Sequence, residues 1–250
     1  YLRPDWVTFE RGGVNGYSGI PRDPDFYRAL QPTPLPEPRS VGQVFGRSAR
    51  FAITYALVQW AFSWRFPHYR HHRNVNPWVQ AAVWVRGGLR KLKSKVRDRA
   101  IGKKLEAGTM PPYYVVPLQV YLDSQIGHSP YAQVADFIEQ VVTSFARFAP
   151  GETHLVIKHH PMDRAYCDYS RLIASLAERL GLRGRLHYVD VVNLPATLRN
   201  ALGTIVINST VGMSSLHHRT AVKCMGTAVY DMPGLTFQGS LDDFWKAPGE

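Results

Sequence analysis

The chain has few of the features that mark a disulfide scaffold, a metal site or a common nucleotide motif. Its 250 residues include two cysteines, which lie far apart and form no CxxC pair, so neither a disulfide framework nor a zinc knuckle is indicated. Adjacent histidines at 71–72, 159–160 and 217–218 point in different directions and lack zinc-site spacing, so we predict no metal. The glycines form neither a Rossmann fingerprint nor a P-loop, which argues against NAD and ATP. We expect no cofactor.

The sequence also lacks an initiator methionine, a secretion signal and a long apolar run. It begins at Tyr1 in mid-phrase, which we interpret as a piece of a longer polypeptide. The most apolar stretch, 51–64, is interrupted by polar residues and is shorter than the roughly 20 residues that a bilayer span requires. We expect either a buried core helix there or a helix lying in a membrane interface. A charged fraction of 20% and a hydrophobic fraction of 45% are typical of a folded protein.

Positive charge is concentrated in one segment. The formal net charge is +11, and residues 41–112 contain 14 basic and two acidic residues, whereas 1–40 and 113–250 are nearly balanced. Tryptophans lie among or just before these basic residues, an arrangement that suits an anionic membrane surface. Nucleic acid and a plain solvated helix face are the alternatives. Because no nucleic-acid motif is present, we expect the anionic inner membrane surface as partner and no nucleic acid.

Proline and glycine divide the chain into three segments. The proline-rich run 31–38 favours extended backbone, and 108–112 is a second break. These breaks predict the segments 1–40, 41–112 and 113–250. After the second break, strands and helices alternate, which predicts an α/β fold with a parallel, doubly wound sheet. The expected strands are 113–122, 154–158, 186–189, 204–207 and from 221 onward, and the expected helices are 131–148, 168–180, 194–201 and 211–218.

Two of these strands end in polar residues that suit phosphate binding. Lys158, His160 and Pro161 follow one strand, and Ser209 and Thr210 follow another. Ligands bind at the carboxyl ends of strands in open α/β sheets, and cationic groups with hydroxyls can hold a phosphate there. The sequence therefore predicts a nucleotide-dependent enzyme. The alternative for His160 is a hydrogen-bonded structural histidine.

Several motifs, taken together and in order, point to one family. They are 117–125, 158–161, 208–212 and 230–239, preceded by 2–10 and 13–15. In these motifs the chain resembles the capsule polysaccharide synthesis proteins that are retaining β-Kdo glycosyltransferases. The resemblance implies a GT-B-like architecture, with a Rossmann-like C-terminal lobe that binds the nucleotide, a partial N-terminal lobe and a basic helical insertion.

The resemblance also implies the substrates. The donor is CMP-Kdo, and the acceptor is a lyso-phosphatidylglycerol lipid on which a β-linked Kdo linker for the capsular polysaccharide is built. The protein is then expected to be cytoplasmic and peripheral on the inner face of the inner membrane, with other capsule assembly proteins as further partners. Two alternatives are a transferase of another CMP-activated sugar, such as sialic acid, and a non-catalytic, membrane-docked component of capsule assembly.

The chemistry assigns roles to the nucleotide side of the site. Breaking the bond between Kdo and CMP leaves additional negative charge on the phosphate, so the site requires preorganised donors. We expect His160 to donate a hydrogen bond or a proton to the phosphate, and Lys158, Pro161, Ser209 and Thr210 to surround it. Asp231 either contacts the nucleotide or shapes the turn that follows it.

Retention of configuration requires two displacements and a carboxylate nucleophile. We assign Asp123 as the nucleophile and Glu10, in the opening motif of the other lobe, as the general base. If Asp123 instead caps the following turn, a common role for aspartate, this assignment fails. The remaining motif residues are expected to shape the site: Gln119, Ser124, Gln125 and Asn15.

Overall fold

A computed structural model describes residues 18–30, 45–69 and 76–247. The opening motif, with Glu10 and Asn15, lies outside these ranges. The strands are β1 (Tyr113–Pro117), β2 (His154–Lys158), β3 (Leu186–Val189), β4 (Gly203–Val206) and β5 (Ala221–Cys224). The helices are α1 (Pro24–Ala29), α2 (Phe45–Ala61), α3 (Pro77–Arg97), α4 (Arg99–Ala107), α5 (Val134–Phe148), α6 (Ser170–Arg179), α7 (Leu194–Arg199), α8 (Val211–His217) and α9 (Leu241–Phe244). Short 3₁₀ turns occur at Ser63–Arg65, Ser124–His128 and Pro161–Asp163.

The five strands form one parallel sheet in the order β3-β2-β1-β4-β5. Val115 of β1 pairs with Val156 of β2 on one side and with Thr204 of β4 on the other. The chain moves outward from β1 to β3 and then returns to place β4 beside β1, so the strand order reverses between β1 and β4. The predicted α/β fold with a parallel sheet is confirmed.

Helices cover both faces of the sheet, which explains the almost uninterrupted apolar sequence of β1 and β2. On one face, α5, α6 and α9 contribute the buried side chains of Phe137, Leu176 and Phe244. On the other face, Leu105 of α4 and Leu198 of α7 pack against Val115 and Val156. Each fully buried side chain of this size stabilises the fold by about 1.5–3 kcal/mol.

The first strand is shorter than predicted. It ends at Pro117, which has no N–H to donate to the sheet, and one further bond follows, from Leu118 N–H to the carbonyl oxygen of Lys158 at 2.9 Å. Residues 119–123 then form a loop, held by a bond from Tyr121 N–H to Asp163 Oδ2 at 2.8 Å. The other predicted strands and helices of the α/β region are confirmed, with ends that differ by at most three residues.

The basic segment is joined to the sheet through α3 and α4. The carboxylate of Asp98, between these helices, accepts bonds from the backbone N–H groups of Asp190 and Val191 at 2.7 and 3.0 Å. The α4 helix, within the predicted 41–112 segment, packs against α7. The division of the chain at residues 40 and 112 stays a prediction.

The expectation of a buried core helix at 51–64 is wrong for this chain. The α2 helix packs against α3, but Phe51 and Trp64 remain 61% and 73% exposed. Its apolar residues are spread around the helix, so contact with a single neighbour leaves many of them at the surface. Within the described ranges, no helix combines the length and hydropathy that crossing a membrane requires.

Candidate functional site

Polar side chains from two strand ends meet where the strand order reverses. Gln119, after β1, donates from Nε2 to Asp123 Oδ2 and to Asn208 Oδ1, both at 3.0 Å. Asn208, after β4, donates from Nδ2 to the carbonyl oxygen of Gln125 at 2.8 Å. We call Gln119, Asp123, Gln125 and Asn208 the switch-point network. It lies at the position where parallel α/β sheets bind ligands.

Gln119 is the centre of this network, and its side chain has one unused hydrogen-bond acceptor. Its side chain is buried, and its Oε1 has no hydrogen-bond partner among the described residues. The two acceptors that face Nε2 fix the orientation of the amide. A ligand hydroxyl that donated to Oε1 would satisfy a buried group that is otherwise costly to leave unpaired.

Asp123 uses both carboxylate oxygens. Oδ1 accepts from Gln125 N–H at 2.9 Å and so caps the 3₁₀ turn Ser124–His128, while Oδ2 accepts from Gln119. The capping role that competes with the nucleophile role is therefore present. The carboxylate is half-buried. Because Asp123 caps the turn, a substitution that preserves the cap is required to separate the capping role from the nucleophile role.

His160 caps the 3₁₀ turn Pro161–Asp163. Its Nδ1 accepts from Met162 N–H at 3.2 Å, so the ring proton sits on Nε2, which can donate to an anion. Burial lowers the pKa of His160, the charge of Lys158 lowers it further and Asp123 raises it. The ring is therefore neutral near pH 7 and supplies a hydrogen bond more readily than a proton.

Lys158 lies deeper than expected. It is 7% exposed, its Nζ donates to the carbonyl oxygen of His159 at 3.3 Å, and burial lowers its pKa. Pro161 is exposed at the start of the turn that His160 caps. The predicted contacts of both residues with a phosphate stay predictions.

Ser209 and Thr210 connect β4 to α8, directly after Asn208. Ser209 Oγ accepts from Val211 N–H at 3.3 Å, and its carbonyl accepts from the Tyr230 hydroxyl. Thr210 is exposed and its side chain makes no capping bond. Their predicted contacts with a phosphate stay predictions.

Asp231 is engaged within its own loop. Its Oδ1 accepts from Thr236 Oγ1 at 2.6 Å and from Gln238 Nε2 at 3.2 Å. These bonds fit the turn-shaping alternative given for this residue. Ser124 is exposed in the 3₁₀ turn after Asp123, and Glu10 and Asn15 lie outside the described residues.

Sequence reasoning missed two residues that build the site. Asn208 completes the network, and buried Asp163 holds the loop that carries Gln119 and Asp123. The available signals were the position of Asn208 at the end of a β-branched run and that of Asp163 just after the His-Pro pair.

An open cavity of about 510 Å³ lies beside the carboxyl end of β5. It lies between residues 127–130, at the end of the 3₁₀ turn that Asp123 caps, and residues 224–227, which follow β5. The walls meet closely, because a Cβ added at Gly226 would lie 2.8 Å from that of Ser129. A cavity of this size has room for part of a nucleotide sugar, and its lining does not include the four residues of the switch-point network. Among the described residues, no group of three or more His, Cys, Asp or Glu side chains is placed to hold a metal ion.

The fold and the network define a parallel α/β protein with a polar site at its topological switch point. The chain belongs to the capsule polysaccharide biosynthesis protein family, whose model matches residues 1–250. It is 46% identical over 248 residues to the capsule polysaccharide export protein KpsS of Escherichia coli. It is 40% identical over 256 residues to the capsule polysaccharide modification protein LipB of Neisseria meningitidis serogroup B. These alignments cover 99% of this chain but 64% and 61% of the two relatives.

Solved structures give a weaker likeness. The β-Kdo 2,7 transferase of Thermosulfurimonas dismutans KpsC aligns with 22% identity and a TM-score of 0.38, covering 65% of this chain and 56% of that one. The β-Kdo 2,4 transferase of the same KpsC aligns with 14% identity and a TM-score of 0.36.

Proposed function

We propose that this chain contains the nucleotide-sugar-binding lobe of a GT-B-like retaining β-Kdo transferase that builds the Kdo linker of capsular polysaccharide from CMP-Kdo on lyso-phosphatidylglycerol. The switch-point network supports this proposal most strongly. It joins two of the motifs that carry the family resemblance, 117–125 and 208–212, into one polar cluster. The residues that follow in the second motif add two hydroxyls beside it.

In the proposed first step, Asp123 Oδ2 attacks the anomeric carbon of Kdo. The bond between that carbon and the phosphate oxygen breaks, and CMP departs with the bonding electrons. His160 Nε2–H donates a hydrogen bond to the departing phosphate, and Ser209 and Thr210 offer hydroxyls to it. The bond from Gln119 Nε2 keeps Oδ2 in a defined orientation.

In the second step, a hydroxyl of the acceptor attacks the same carbon and releases Asp123. Glu10 takes the proton of that hydroxyl. Two displacements return the sugar to its original configuration, as retaining transfer requires.

We further propose that the basic segment holds the protein on the anionic inner face of the membrane. On α3, four large apolar residues recur at i, i+4, i+7 and i+11, and all are more than half exposed. Lysines and arginines occur among them, so one helix offers apolar and cationic groups together, as interfacial helices do. The four apolar residues, which we call the α3 apolar row, are Val85, Leu89, Leu92 and Val96.

Donor specificity tests the proposed function. The full-length protein is incubated with lyso-phosphatidylglycerol and either CMP-Kdo or CMP-sialic acid, and the lipid products are analysed by mass spectrometry. We expect a lipid heavier by one or more Kdo residues with CMP-Kdo and no product with CMP-sialic acid. Product formed only with CMP-sialic acid would mean that this nucleotide sugar, and not CMP-Kdo, is the donor. Product from neither donor, with vesicle binding intact, would favour a non-catalytic component.

A further inference from the structure

A second cavity, of about 210 Å³, lies between α3 and the carboxyl ends of β2 and β3. Four cationic residues of α3 line it, and their spacing of i, i+4, i+7 and i+11 puts them on one face of the helix. They are Arg86, Arg90, Lys93 and Arg97. The opposite wall includes His159, from the end of β2, and Tyr188 of β3. We call this cavity the α3 pocket.

The cationic face is fixed above the strand ends. Asp98, at the end of α3, accepts the backbone N–H groups of Asp190 and Val191. Near the middle of the helix, a Cβ added at Gly87 would lie 3.0 Å from the Cβ of Ala165, so helix and loop pack closely there. The pocket therefore has a rigid wall at both of these points.

The pocket holds more positive charge than its carboxylates neutralise. Arg90 pairs with Asp168 at 2.9 Å, and Arg97 pairs with Asp98 at 2.7 Å. The third nearby carboxylate, Asp190, is engaged by Arg164, which donates two bonds at 2.7 and 2.8 Å. Within the described part of the chain, the two other cations of the pocket, Arg86 and Lys93, form no ion pair.

Two hydrogen-bond donors of the pocket are also unused. Nη1 of Arg90 is buried and has no partner among the described residues, and the same holds for Nε2 of His159, a residue that is 2% exposed. Tyr169 N–H donates to the hydroxyl oxygen of Tyr188 at 3.4 Å, and this hydroxyl lies 2.7 Å from His159 Nδ1. We assign the tautomer in which the hydroxyl proton points to Nδ1 and the imidazole proton sits on Nε2. Burial lowers the pKa of His159 to about 4, so near pH 7 the ring offers this N–H without a charge.

The size of the cavity suits a small anionic group. A volume of about 210 Å³ has room for a phosphate with a small organic substituent.

The surface beside the pocket is apolar. Each member of the α3 apolar row immediately precedes one of the four pocket cations in sequence, so the row runs alongside the cationic face. A ligand with a phosphate and an acyl chain would engage both surfaces at once.

We propose that the α3 pocket binds the phosphodiester of a phospholipid headgroup, with the acyl chain along the α3 apolar row. The cations and the His159 N–H contact the phosphate oxygens through charge-assisted hydrogen bonds. This inference rests on the proposed function in one respect, since it identifies the pocket as the site of the lipid acceptor's headgroup.

Binding of the soluble headgroup glycerophosphoglycerol to the full-length protein, measured by isothermal titration calorimetry without any sugar donor, tests this site. The variant Arg86→Gln/Lys93→Gln removes two exposed cations of the pocket. We expect its affinity to fall by about tenfold or more, because charge-assisted bonds are the strong ones, and its affinity for CMP to stay within twofold. The matched control, Lys95→Gln/Arg99→Gln, removes the same charge outside the pocket and should bind as the unmodified protein does. Thermal melts confirm that both variants are folded.

Equal weakening by the two double variants would mean nonspecific attraction and would overturn the site. Weaker binding of CMP with unchanged headgroup binding would assign the pocket to the nucleotide and would also overturn it. A second variant, Tyr188→Phe, keeps every charge but removes the hydroxyl that holds the His159 proton on Nε2. Unchanged headgroup affinity in this variant would remove His159 from the site. The calorimetric experiment contains no donor, so its result does not depend on transfer. Intact headgroup binding by a protein that shows no Kdo transfer in the donor assay would contradict the proposed function alone.

Discussion

Gln119 connects the two strand ends of the candidate site through a single amide group. Its Nε2 supplies bonds to Asp123 and Asn208, and its Oε1 is left for a ligand. The amide therefore has two roles. It orients the proposed nucleophile, and it provides a buried hydrogen-bond acceptor. Neither can be supplied by an apolar side chain of the same length.

The variant Gln119→Met should keep the packing volume and lose both bonds. We expect kcat/KM for Kdo transfer to fall by about a hundredfold, since small misplacements of reacting groups have effects of that order. We also expect the free energy of unfolding to fall by about 1–3 kcal/mol, because buried acceptors lose their donor. Steady-state kinetics and urea unfolding measure the two effects. The control Glu139→Met, at an exposed position of α5, should change neither; a fully active Gln119→Met enzyme would remove Gln119 from the site.

Two half-buried histidines make stability depend on pH. His187 Nε2 lies 2.9 Å from His154 Nδ1, and burial, with His154 and Lys104 nearby, lowers the pKa of His187 to about 4. In the unfolded chain the value is about 6.5. The unfolded state therefore binds more protons between these values, and the free energy of unfolding falls as the pH is lowered from about 6.5 towards 4.

Urea unfolding at pH 7.5 and pH 5 measures this loss. His187→Gln should reduce the difference between the two pH values, whereas His217→Gln, at an exposed position, should leave it as in the unmodified protein. An equal loss at pH 5 in His187→Gln would show that the titration of this residue does not contribute.

At the residue scale, sequence patterns identified candidates but not their partners. Asp123 and His160 could be picked out because they follow strand ends, and the structure places both near the site. Their capping bonds depend on backbone turns that begin only after the strands end, so no spacing rule predicts them. Asn208 was missed because its role depends on a contact with Gln119, 89 positions away in sequence.

Secondary-structure elements were predicted correctly where the local sequence pattern carries a strong signal. The strands β1, β2 and β4 are β-branched, buried on both faces and surrounded by helices, so their sequences carry a strong signal. The α6 helix ends before Gly181, whose φ of +66° explains why glycine stands there. For α2 the sequence left two alternatives, because an apolar composition alone does not reveal whether the chain supplies a partner for every face of the helix.

Close packing of β4 against α9 gives a test of the fold. A Cβ added at Gly203 would lie 2.6 Å from Cζ of Phe244, which is 1% exposed. Gly203→Ala should therefore lower the free energy of unfolding by about 1–3 kcal/mol, the usual cost of overpacking a core. Chemical denaturation measures it. The control Gly151→Ala has open space around its new Cβ and should change stability by less than about 0.5 kcal/mol; equal effects would contradict the packing described.

At the scale of the whole molecule, charge and apolar surface occur together on the helices that precede the sheet. The uneven charge distribution was evident from the sequence, and it indicated a surface that contacts anions. Which basic residues face a pocket and which face solvent could not be predicted, since this depends on how α3 docks through Asp98 and Gly87. The GT-B-like arrangement of two lobes stays a prediction.

Membrane association should depend on both kinds of surface. In flotation with vesicles that contain anionic lipid, Leu89→Ser/Leu92→Ser should reduce the bound fraction several-fold, because the exposed apolar area available to the bilayer falls. Raising the salt concentration should weaken binding further, since exposed charges are screened. The control Met213→Ser, at an exposed apolar position of α8, should bind normally. Equal binding of the double variant, the control and the unmodified protein to the anionic vesicles would contradict a role for this face.

The proposed mechanism requires a covalent bond between Asp123 and Kdo, which intact-protein mass spectrometry detects. The full-length protein, Asp123→Asn and Asp23→Asn are exposed briefly to CMP-Kdo. Asparagine retains an oxygen that can cap a turn but is not a carboxylate nucleophile. Asp23, which caps α1 through a bond of 2.9 Å from Asp25 N–H, is the matched control. We expect a mass increase of one Kdo in the unmodified protein and in Asp23→Asn, and none in Asp123→Asn; an undiminished adduct or undiminished transfer in Asp123→Asn would contradict the account.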